Sequence, residues 1–184
     1  LLCYAQQKEL FNKAGIRILV SEYSAIQIMR DKFLTYESFQ KLGIKTPQTW
    51  LVNTLDGIEN IILPLIAKPR DGSCSQGVKL IETKQELQEL CNGTNNYIVQ
   101  EYLQGAEYTV NIYVNPEGEL ISVVPHYRKL VRAGEVCFAK TEEVSMFNDV
   151  AKKLVAGVPG IVGPLCFQGI RLIDNTVIIF EING

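Results

Sequence analysis

The sequence predicts an α+β protein made of two α+β units, and three patterns in its 184 residues lead to this fold class. Residues 46–96 alternate short apolar runs of strand type with polar runs of helix type. The half of the chain after residue 97 is rich in strands, and its 107–115 segment alternates apolar and polar residues. The chain closes on two strand-like runs joined by Asp174-Asn175, a pair typical of tight turns.

Composition excludes several classes of function. The net charge of -2 and the pI of about 5.5 argue against a nucleic-acid-binding surface. Five scattered cysteines without a C-x-x-C pair argue against a disulfide framework or a zinc site and favour a reducing, cytoplasmic location. No apolar run reaches the length of a membrane span. Nucleic acid and membrane are therefore not expected as partners, and the oligomeric state stays open.

The first 23 residues read as the remnant of an upstream α/β domain. Residues 1–14 can form a helix with one apolar side, which consists of Leu10, Phe11 and Ala14. Residues 15–22 then read as a short buried strand. Because the chain also opens without methionine and closes directly after a strand, we expect it to be a fragment of a longer protein.

The next helix carries clear signals at both ends. Asp31 is a suitable N-cap for a helix over 32–42, Gly43 suits its C-terminal end, and Pro47 lies just beyond. Residues 48–52 then predict a strand, and Asp56 to Asn60 a short helix. Two further strands enclose a loop, and residues 83–92 predict a helix whose inward side is Leu87, Leu90 and Cys91.

The strand-rich half predicts an antiparallel sheet. Strands are expected at 97–103 and 107–115, and the inner face of the second comprises Tyr108, Val110, Ile112 and Val114. The turn signal at 115–118 returns the chain as an antiparallel strand over 119–128. A helix is expected over 144–158, before the final two strands.

The loop "KPRDGSCSQGVKLI", residues 68–81, favours close approach of a ligand to the backbone. Its small residues expose the main chain, and consecutive free N–H groups suit an anion. Lys68, Arg70 and Lys79 flank it. The alternative is a mobile hairpin loop with ordinary surface charges, and the loop alone does not decide between the two.

The last hairpin predicts a site for a hard cation. If Asp174-Asn175 is a two-residue turn, Ile173 pairs with Thr176, Leu172 faces Val177 and Gln168 faces Glu181. Asn183 then points to the same face as Glu181. Three oxygen-bearing side chains in one patch suit Mg²⁺. The alternative is a solvated polar end of the sheet, and a one-residue slip would send Gln168 to the other face.

A middle segment, "VQEYLQGAEYTV", carries Glu101 and Glu107 around a flexible connection. A carboxylate can accept both hydroxyls of a ribose, and an adjoining apolar backbone can bind an adenine edge. The alternative is a polar hairpin linker, which the segment alone would favour.

Five segments in this order resemble the ATP-grasp superfamily, most closely the ATP-grasp portion of carbamoyl-phosphate synthase large-subunit-like proteins. They are "RDK", "IAKPRDGSCSQGVKLI", "IVQEYLQGAEYTV", "VRAGEV" and the late Q…EIN set. The resemblance covers roughly residues 24–184. It implies an ATP-grasp fold in which a small subdomain (24–98) and a C-terminal subdomain (99–184) enclose a nucleotide, preceded by a remnant of a Rossmann-like domain (1–23).

The resemblance also implies roles for individual residues. The 68–81 loop becomes a lid over the phosphates, with Lys68 and Lys32 as cations beside them. The lid residues implied in nucleotide binding are Ser73, Ser75 and Gly77. Glu101, Tyr102 and Leu103 line the adenine, and Glu107 takes the ribose hydroxyls. Gln168, Glu181 and Asn183 hold Mg²⁺ or Mn²⁺. Arg128 and Arg132 hold the substrate or the transferred phosphate.

The implied activity is that of an ATP- and Mg²⁺-dependent ligase. It phosphorylates a carboxylate, bicarbonate or carbamate to an acyl phosphate, which an amine then attacks. The family motif continues past "EIN" to an arginine, and because Gly184 ends this sequence we expect the isolated fragment to be weakly active at best. The alternatives are a non-catalytic nucleotide-binding module for regulation or assembly, and an α+β scaffold without nucleotide.

Overall fold

The computed structural model describes residues 1–55, 61–72, 75–94, 96–132 and 134–184. Its helices are α1 (Leu2–Gln6), α2 (Lys8–Lys13), α3 (Tyr23–Arg30), α4 (Lys32–Lys41), α5 (Lys84–Gly93) and α6 (Ser145–Gly157), with a 3-10 turn at Val52–Thr54. No helix in these ranges is both long and apolar enough to cross a membrane. The predicted helix at 56–60 lies outside the described residues.

The strands form two antiparallel sheets. The first sheet has the order β1-β4-β2-β3 and contains β1 (Thr49–Leu51), β2 (Leu65–Pro69), β3 (Lys79–Ile81) and β4 (Tyr97–Glu101). The second has the order β7-β6-β5-β8-β9 and contains β5 (Ala106–Val114), β6 (Leu120–Arg132), β7 (Glu135–Thr141), β8 (Gly163–Arg171) and β9 (Val177–Asn183). The predicted α+β fold class is confirmed.

Helices α4 and α5 begin where the sequence signals them. The Asp31 carboxylate accepts hydrogen bonds from the backbone amides of Phe33 and Leu34, at 2.9 and 3.2 Å. At α5, Thr83 and Glu86 form a reciprocal capping box. Such caps satisfy amides that would otherwise lack a partner, and each stabilises a helix by about 1 kcal/mol. Gly43, with φ of +61°, ends α4 in the left-handed conformation that glycine adopts without strain.

Each sheet has its own apolar core. The second sheet packs its inner face on α3 and α6, and the predicted inward set of Tyr108, Val110, Ile112 and Val114 is buried there. The first sheet packs on α5 through Leu65, Ala67, Leu87 and Val99. Burying one such large apolar side chain is worth about 1.5–3 kcal/mol, so each sheet is stabilised largely by its own helices.

The packing does not follow the predicted subdomain boundaries. Strand β4 lies across the expected 98/99 boundary, yet all its pairing partners are β1 and β2 of the first sheet. Helices α3 and α4 lie inside the expected 24–98 subdomain, yet Ile26, Met29 and Phe39 belong to the core of the second sheet. The chain therefore passes from the large core to the small one after α4, and back after β4.

Two expectations near the start of the chain are wrong. Residues 15–22 form no strand, because the end of this segment bonds to a turn instead of a ladder: the amide of Glu22 donates to the carbonyl of Gly160 at 2.8 Å. The helix of residues 1–14 is broken at Gln7, and its buried residue is Ala5, whereas Leu10 is 62% exposed. Helix α3 and strand β7 are present without having been predicted.

Candidate functional site

A cleft of about 680 Å³ lies between the two sheets. Strand β2 contributes Ile66 and Lys68, and the 102–105 connection between β4 and β5 crosses it. The second sheet contributes residues from β5, β6, β8 and β9, which are Glu107, Arg128, Cys166, Gln168, Ile170, Phe180, Glu181 and Asn183. The cleft thus lies where the two cores meet, and most predicted site residues line it.

Lys68 is the most buried cation of the cleft. Its residue is only 6% exposed, and its ammonium lies 5.1 Å from the centroid of the Phe180 ring. Burial lowers the pKa of Lys68 to about 8, although the carboxylates of Glu181 and Glu107 partly oppose this shift. Because a nearby opposite charge favours the charged form, an anion that enters beside this buried ammonium would stabilise it.

Lys32 bridges the two walls of the cleft. Its ammonium donates a hydrogen bond to the carbonyl of Gly72 at 3.0 Å and lies 4.0 Å from a carboxylate oxygen of Glu181. Gly72 belongs to the loop that follows β2, whereas Glu181 belongs to β9 of the other sheet. One side chain therefore contacts both sides of the space that an anion would occupy.

The hairpin of β8 and β9 brings the three predicted metal ligands to one face. Gln168 pairs with Glu181, and Cys166 pairs with Asn183. The cleft is lined by Gln168, Glu181 and Asn183 together. In the described part of the chain, no three His, Cys, Asp or Glu side chains group as metal ligands, so this set depends on two amide oxygens and a single carboxylate. Such oxygen donors fit Mg²⁺, which takes few carboxylates and completes its shell with phosphate and water.

The predicted pairing of Gln168 with Glu181 is present, but the predicted turn and the predicted pairing of Leu172 with Val177 are wrong. Near the turn Arg171 faces Val177, so Leu172 does not, and the amide of Leu172 donates to the carbonyl of Thr176 instead. The loop thus has three residues, 173–175, with Asn175 at φ +64°. A bulge between Gln168 and Gly169 then restores the expected pairing of Gln168 with Glu181.

The extra residue of this bulge is Phe180. Gly169 faces Ile179 and Gln168 faces Glu181, which leaves Phe180 without a partner in the ladder. Phe180 and Glu181 therefore both line the cleft, although consecutive strand residues normally point to opposite faces. A Cβ at Gly169 would lie 2.9 Å from the carbonyl oxygen of Ile178, so the bulge leaves no room for a side chain there.

The connection between β4 and β5 contributes Gln104 and Gly105 to the cleft lining. Tyr102 and Leu103 line the cleft, as does Glu101. The Glu101 carboxylate, however, accepts a hydrogen bond from the backbone amide of Gln48 at 2.8 Å. This carboxylate is already engaged in joining β4 to the chain before β1. Gln104 adds a polar side chain to this lining, while Ile66, Val78 and Ile170 add apolar surface.

Arg128 reaches the cleft from β6 and pairs with Glu107. One terminal nitrogen lies 2.9 Å from the Glu107 carboxylate, and the other donates to the carbonyl of Gly134 at 2.9 Å. The side chain of Arg128 is only 5% exposed, whereas that of Glu107 is 41% exposed. Within the described residues, the buried Nε of Arg128 has no hydrogen-bond partner. The Nε–H of the guanidinium is therefore an unused donor within this part of the chain.

The structure does not bring every predicted residue into the cleft. Arg132 is exposed and is not one of the described residues that line it. Gly77 also lies outside this lining, and a Cβ there would come within 2.7 Å of the Tyr97 hydroxyl, so its small size serves packing. Ser75 lines the cleft, whereas Ser73 and Cys74 lie outside the described residues. The functional roles of all these residues stay predictions.

Phe180 and Cys166 are among the lining residues that the sequence reasoning did not assign to the site. Phe180 faces the cleft only because of the bulge, for which the sequence carries no signal beyond Gly169. Cys166 lies two residues before Gln168, so the alternation of the strand could have placed it on the same face. Burial raises the pKa of its thiol, and Glu181 raises it further, so Cys166 stays neutral at physiological pH.

Comparison with known proteins agrees with this architecture. A model of the ATP-grasp domain family matches residues 29–184. A carbamoyl-phosphate synthase of Methanobrevibacter smithii is 21% identical over 66% of this chain and 34% of its own length. A D-alanine–D-alanine ligase of Fusobacterium nucleatum is 31% identical over 61% of this chain and 40% of its own length. The expected resemblance is confirmed, and the chain spans between a third and two fifths of these relatives.

The solved structures show the same fold. The N5-carboxyaminoimidazole synthetase of Staphylococcus aureus, solved as a complex with ADP, superposes with a TM-score of 0.77. The two sequences are 19% identical, and the match covers 97% of this chain and 50% of the synthetase chain. At this level of identity the comparison supports the arrangement of the two sheets, while substrate and mechanism need evidence from the site itself.

Proposed function

The chain belongs to the ATP-grasp domain family, and on that premise we propose that its cleft binds ATP and transfers the γ-phosphoryl group to a carboxylate-like substrate. One observation carries this proposal. Two cations, Lys68 and Lys32, share the cleft with three oxygen-bearing side chains of β8 and β9. Positive charge and metal-type ligands on opposite walls match what a nucleoside triphosphate with its divalent cation requires.

We assign the adenine of the nucleotide to the apolar end of the cleft and its phosphates to the charged end. Tyr102 and Leu103, with Ile66 and Phe180, line a space suited to the adenine, whose polar edge would bond to the backbone of the 102–105 connection. Glu107, being partly exposed, has acceptor capacity for the ribose hydroxyls. Lys68 and Lys32 would contact the phosphates, together with the backbone near Ser75.

The residues present fit a divalent cation. Gln168, Glu181 and Asn183 would hold Mg²⁺, which when bound neutralises phosphate oxygens and orients them for displacement. With only one carboxylate in this set, most of the negative charge that binds the ion must come from the nucleotide. The cation and the nucleotide are therefore expected to bind together.

In the proposed reaction, the protein mainly positions the reacting groups. A carboxylate oxygen of the substrate attacks the γ-phosphorus while the bond to the β,γ-bridging oxygen breaks, giving an acyl phosphate and ADP. An amine then attacks the acyl carbon, and phosphate leaves. Arg128, which lines the cleft, would hold the anionic substrate or the departing phosphate. The named relatives support this class, since one joins two D-alanines and carbamoyl phosphate is itself an acyl phosphate.

A thermal melt with and without MgATP or MgADP tests the nucleotide site. At 100 times Kd the ligand should add about 2.7 kcal/mol, a rise in Tm of roughly 5–11 °C at this chain length. Glu181→Ala should lose the Mg²⁺-dependent part of the rise. Glu143→Ala, which removes an exposed carboxylate outside the cleft lining, is the matched control and should retain it. A folded wild type that shows no rise at millimolar nucleotide would contradict the proposal.

Turnover separates the ligase from a module that only binds nucleotide. ADP release should require both MgATP and a carboxylate or bicarbonate, and a second addition of an amine should speed it. Hydroxylamine, which traps acyl phosphates as hydroxamates, gives a direct readout of the proposed intermediate. Nucleotide binding without any ADP release, across a panel of carboxylates and with the full-length parent protein, would instead support the regulatory or assembly function.

A further inference from the structure

A further ion pair near the cleft, between Asp31 and Arg70, joins the parts of the chain that carry the two cores. The Nε of Arg70 lies 2.9 and 2.8 Å from the two oxygens of the Asp31 carboxylate. In the other direction, the backbone amide of Lys32 donates to the carbonyl of Arg70 at 3.0 Å. The Arg70 guanidinium also lies 5.9 Å from the centroid of the Phe33 ring. We call this set of contacts the α4–β2 clasp.

The clasp links elements that are otherwise packed on different cores. Helix α4 follows Asp31 and buries Phe39 in the core of the second sheet. Strand β2 ends one residue before Arg70 and buries Leu65 and Ala67 in the core of the first sheet. The clasp therefore fixes the first turn of α4 against the end of β2, at the entrance to the 70–78 loop.

Charge and hydrogen bonding favour this arrangement. Burial of Asp31 opposes its ionisation, but the hydrogen bonds from Arg70 and from the amides of Leu34 and Phe33 prevail and lower its pKa. The same carboxylate thus caps α4 and holds Arg70. An ordinary N-cap residue needs only the hydrogen bonds from the helix amides. The contact of Asp31 with Arg70 goes beyond capping and therefore has a separate consequence.

That consequence concerns Lys32, the residue next to Asp31. Its ammonium contacts the Gly72 carbonyl, two residues after Arg70, and approaches Glu181. The hydrogen bond of Lys32 to Gly72 and its approach to Glu181 both depend on the position of α4 relative to β2. We propose that Arg70 and Asp31 are positioning residues, which act through the clasp to hold Lys32 between the loop and the metal-ligand strand. The inference rests on the proposed nucleotide site for its effect on affinity.

The test compares Arg70→Gln, Asp31→Asn and the double variant. Asparagine can still cap α4, so Asp31→Asn removes the charge of the clasp while keeping the helix start. Lys8→Gln is the matched control, because it removes another ion pair, the 2.6 Å contact of Lys8 with Glu22, which lies outside the cleft lining. Two quantities are measured: hydrogen exchange of the Lys32 amide in the free protein, and the Kd of MgADP.

We expect Arg70→Gln to speed exchange of the Lys32 amide and to weaken MgADP binding, each by about tenfold. The amide of Leu154, in the buried core of α6, should exchange as in the wild type. The double variant should bind no more weakly than Arg70→Gln alone, since both changes break one contact. Arg70→Lys, which keeps the charge, should recover part of the affinity.

Unchanged Lys32 exchange in both single variants would overturn the clasp. Unchanged MgADP affinity with faster Lys32 exchange would overturn its positioning role, and so would losses that add in the double variant. A wild type that binds no MgADP would refute the proposed function, while Lys32 exchange would still decide whether the clasp holds the first turn of α4. Faster exchange throughout the molecule would also overturn the inference, because it would show a merely structural role.

Discussion

The two outer hairpins of the second sheet differ in which of their predicted site residues line the cleft. In the β8–β9 hairpin, Gln168, Glu181 and Asn183 all line the cleft. In the β6–β7 hairpin, Arg128 lines it and Arg132 does not. Two irregularities of register lie between Arg128 and Val131, whereas a single bulge lies in β8–β9 and repairs the effect of a longer turn. Residues at even spacing share a face only where the bulges between them allow it.

The hairpins also differ in charge, which sets the largest expected effect. The β8–β9 side contributes neutral amides and one carboxylate, whereas the β6–β7 side contributes a buried guanidinium. Arg128→Met should lower the turnover rate by about 10²–10³-fold, as loss of an oriented donor to a reacting anion does. MgADP affinity should change less, because the variant retains Lys68 and Lys32, the two cations assigned to the phosphates. Steady-state rates at saturating MgATP, with nucleotide binding measured in parallel, check this, and a rate within threefold of the wild type would contradict it.

The bulge of β8–β9 can be broken directly. Gly169→Ala places a Cβ 2.7 Å from the Cδ1 of Ile179 and 2.9 Å from the Ile178 carbonyl oxygen. We expect a destabilisation of about 1–3 kcal/mol, as for overpacked cores, and a weaker Mg²⁺-dependent rise in Tm. Chemical denaturation with and without MgADP measures both effects. At Gly93 a Cβ would meet nothing within 4 Å, so Gly93→Ala is the matched control and should not lower stability.

Lys68, the cation that lies near Phe180 of β9, should make the proposed nucleotide binding depend on pH. The free protein has a Lys68 pKa of about 8, lowered by burial, and bound phosphates should raise it again. Binding therefore takes up a proton above pH 8, so MgADP affinity should be flat below that pH and fall above it. Calorimetry should find about tenfold weaker binding at pH 9 than at pH 7. Lys68→Met should bind weakly and lose this dependence, and a wild-type affinity that rises between pH 8 and 9 would refute the assignment.

The smallest effect is expected at Arg132. Its exposed position outside the cleft lining predicts that Arg132→Gln changes both the turnover rate and MgADP affinity by less than about twofold, as for an ordinary surface charge. The same assays as for Arg128→Met measure it. A loss of tenfold or more would contradict this prediction and would show that the Arg132 side chain contributes to the reaction.

Local patterns predicted local structure well. The alternation in β5 identified its buried face, and the side chain of Asp31 located the start of α4. These features depend on residues a few positions apart, so propensity and periodicity suffice to find them. The same reasoning assigned a strand to 15–22, because it could not tell whether a neighbouring strand would offer ladder bonds.

The candidate site was harder to predict from the sequence, because it depends on contacts between distant segments. Gln168 was matched with Glu181 through a turn that is in fact one residue longer, and the bulge at Phe180 compensates for the difference. The contact of Asp31 with Arg70 joins residues 39 positions apart, and no periodicity connects them. Family resemblance supplied the order of the motifs, but not which side chains point inward.

The separation of the turn from the ligand face by a bulge has a practical consequence. Ile173, at the tip of the β8–β9 loop, is fully exposed at 101%, and about five residues of strand, or roughly 16 Å, separate it from Gln168. Extra length in the loop can be absorbed before it reaches Gln168 and Glu181. The tip is therefore a suitable attachment point for a fluorescent reporter, one that senses events at β9 without occupying the space where they happen.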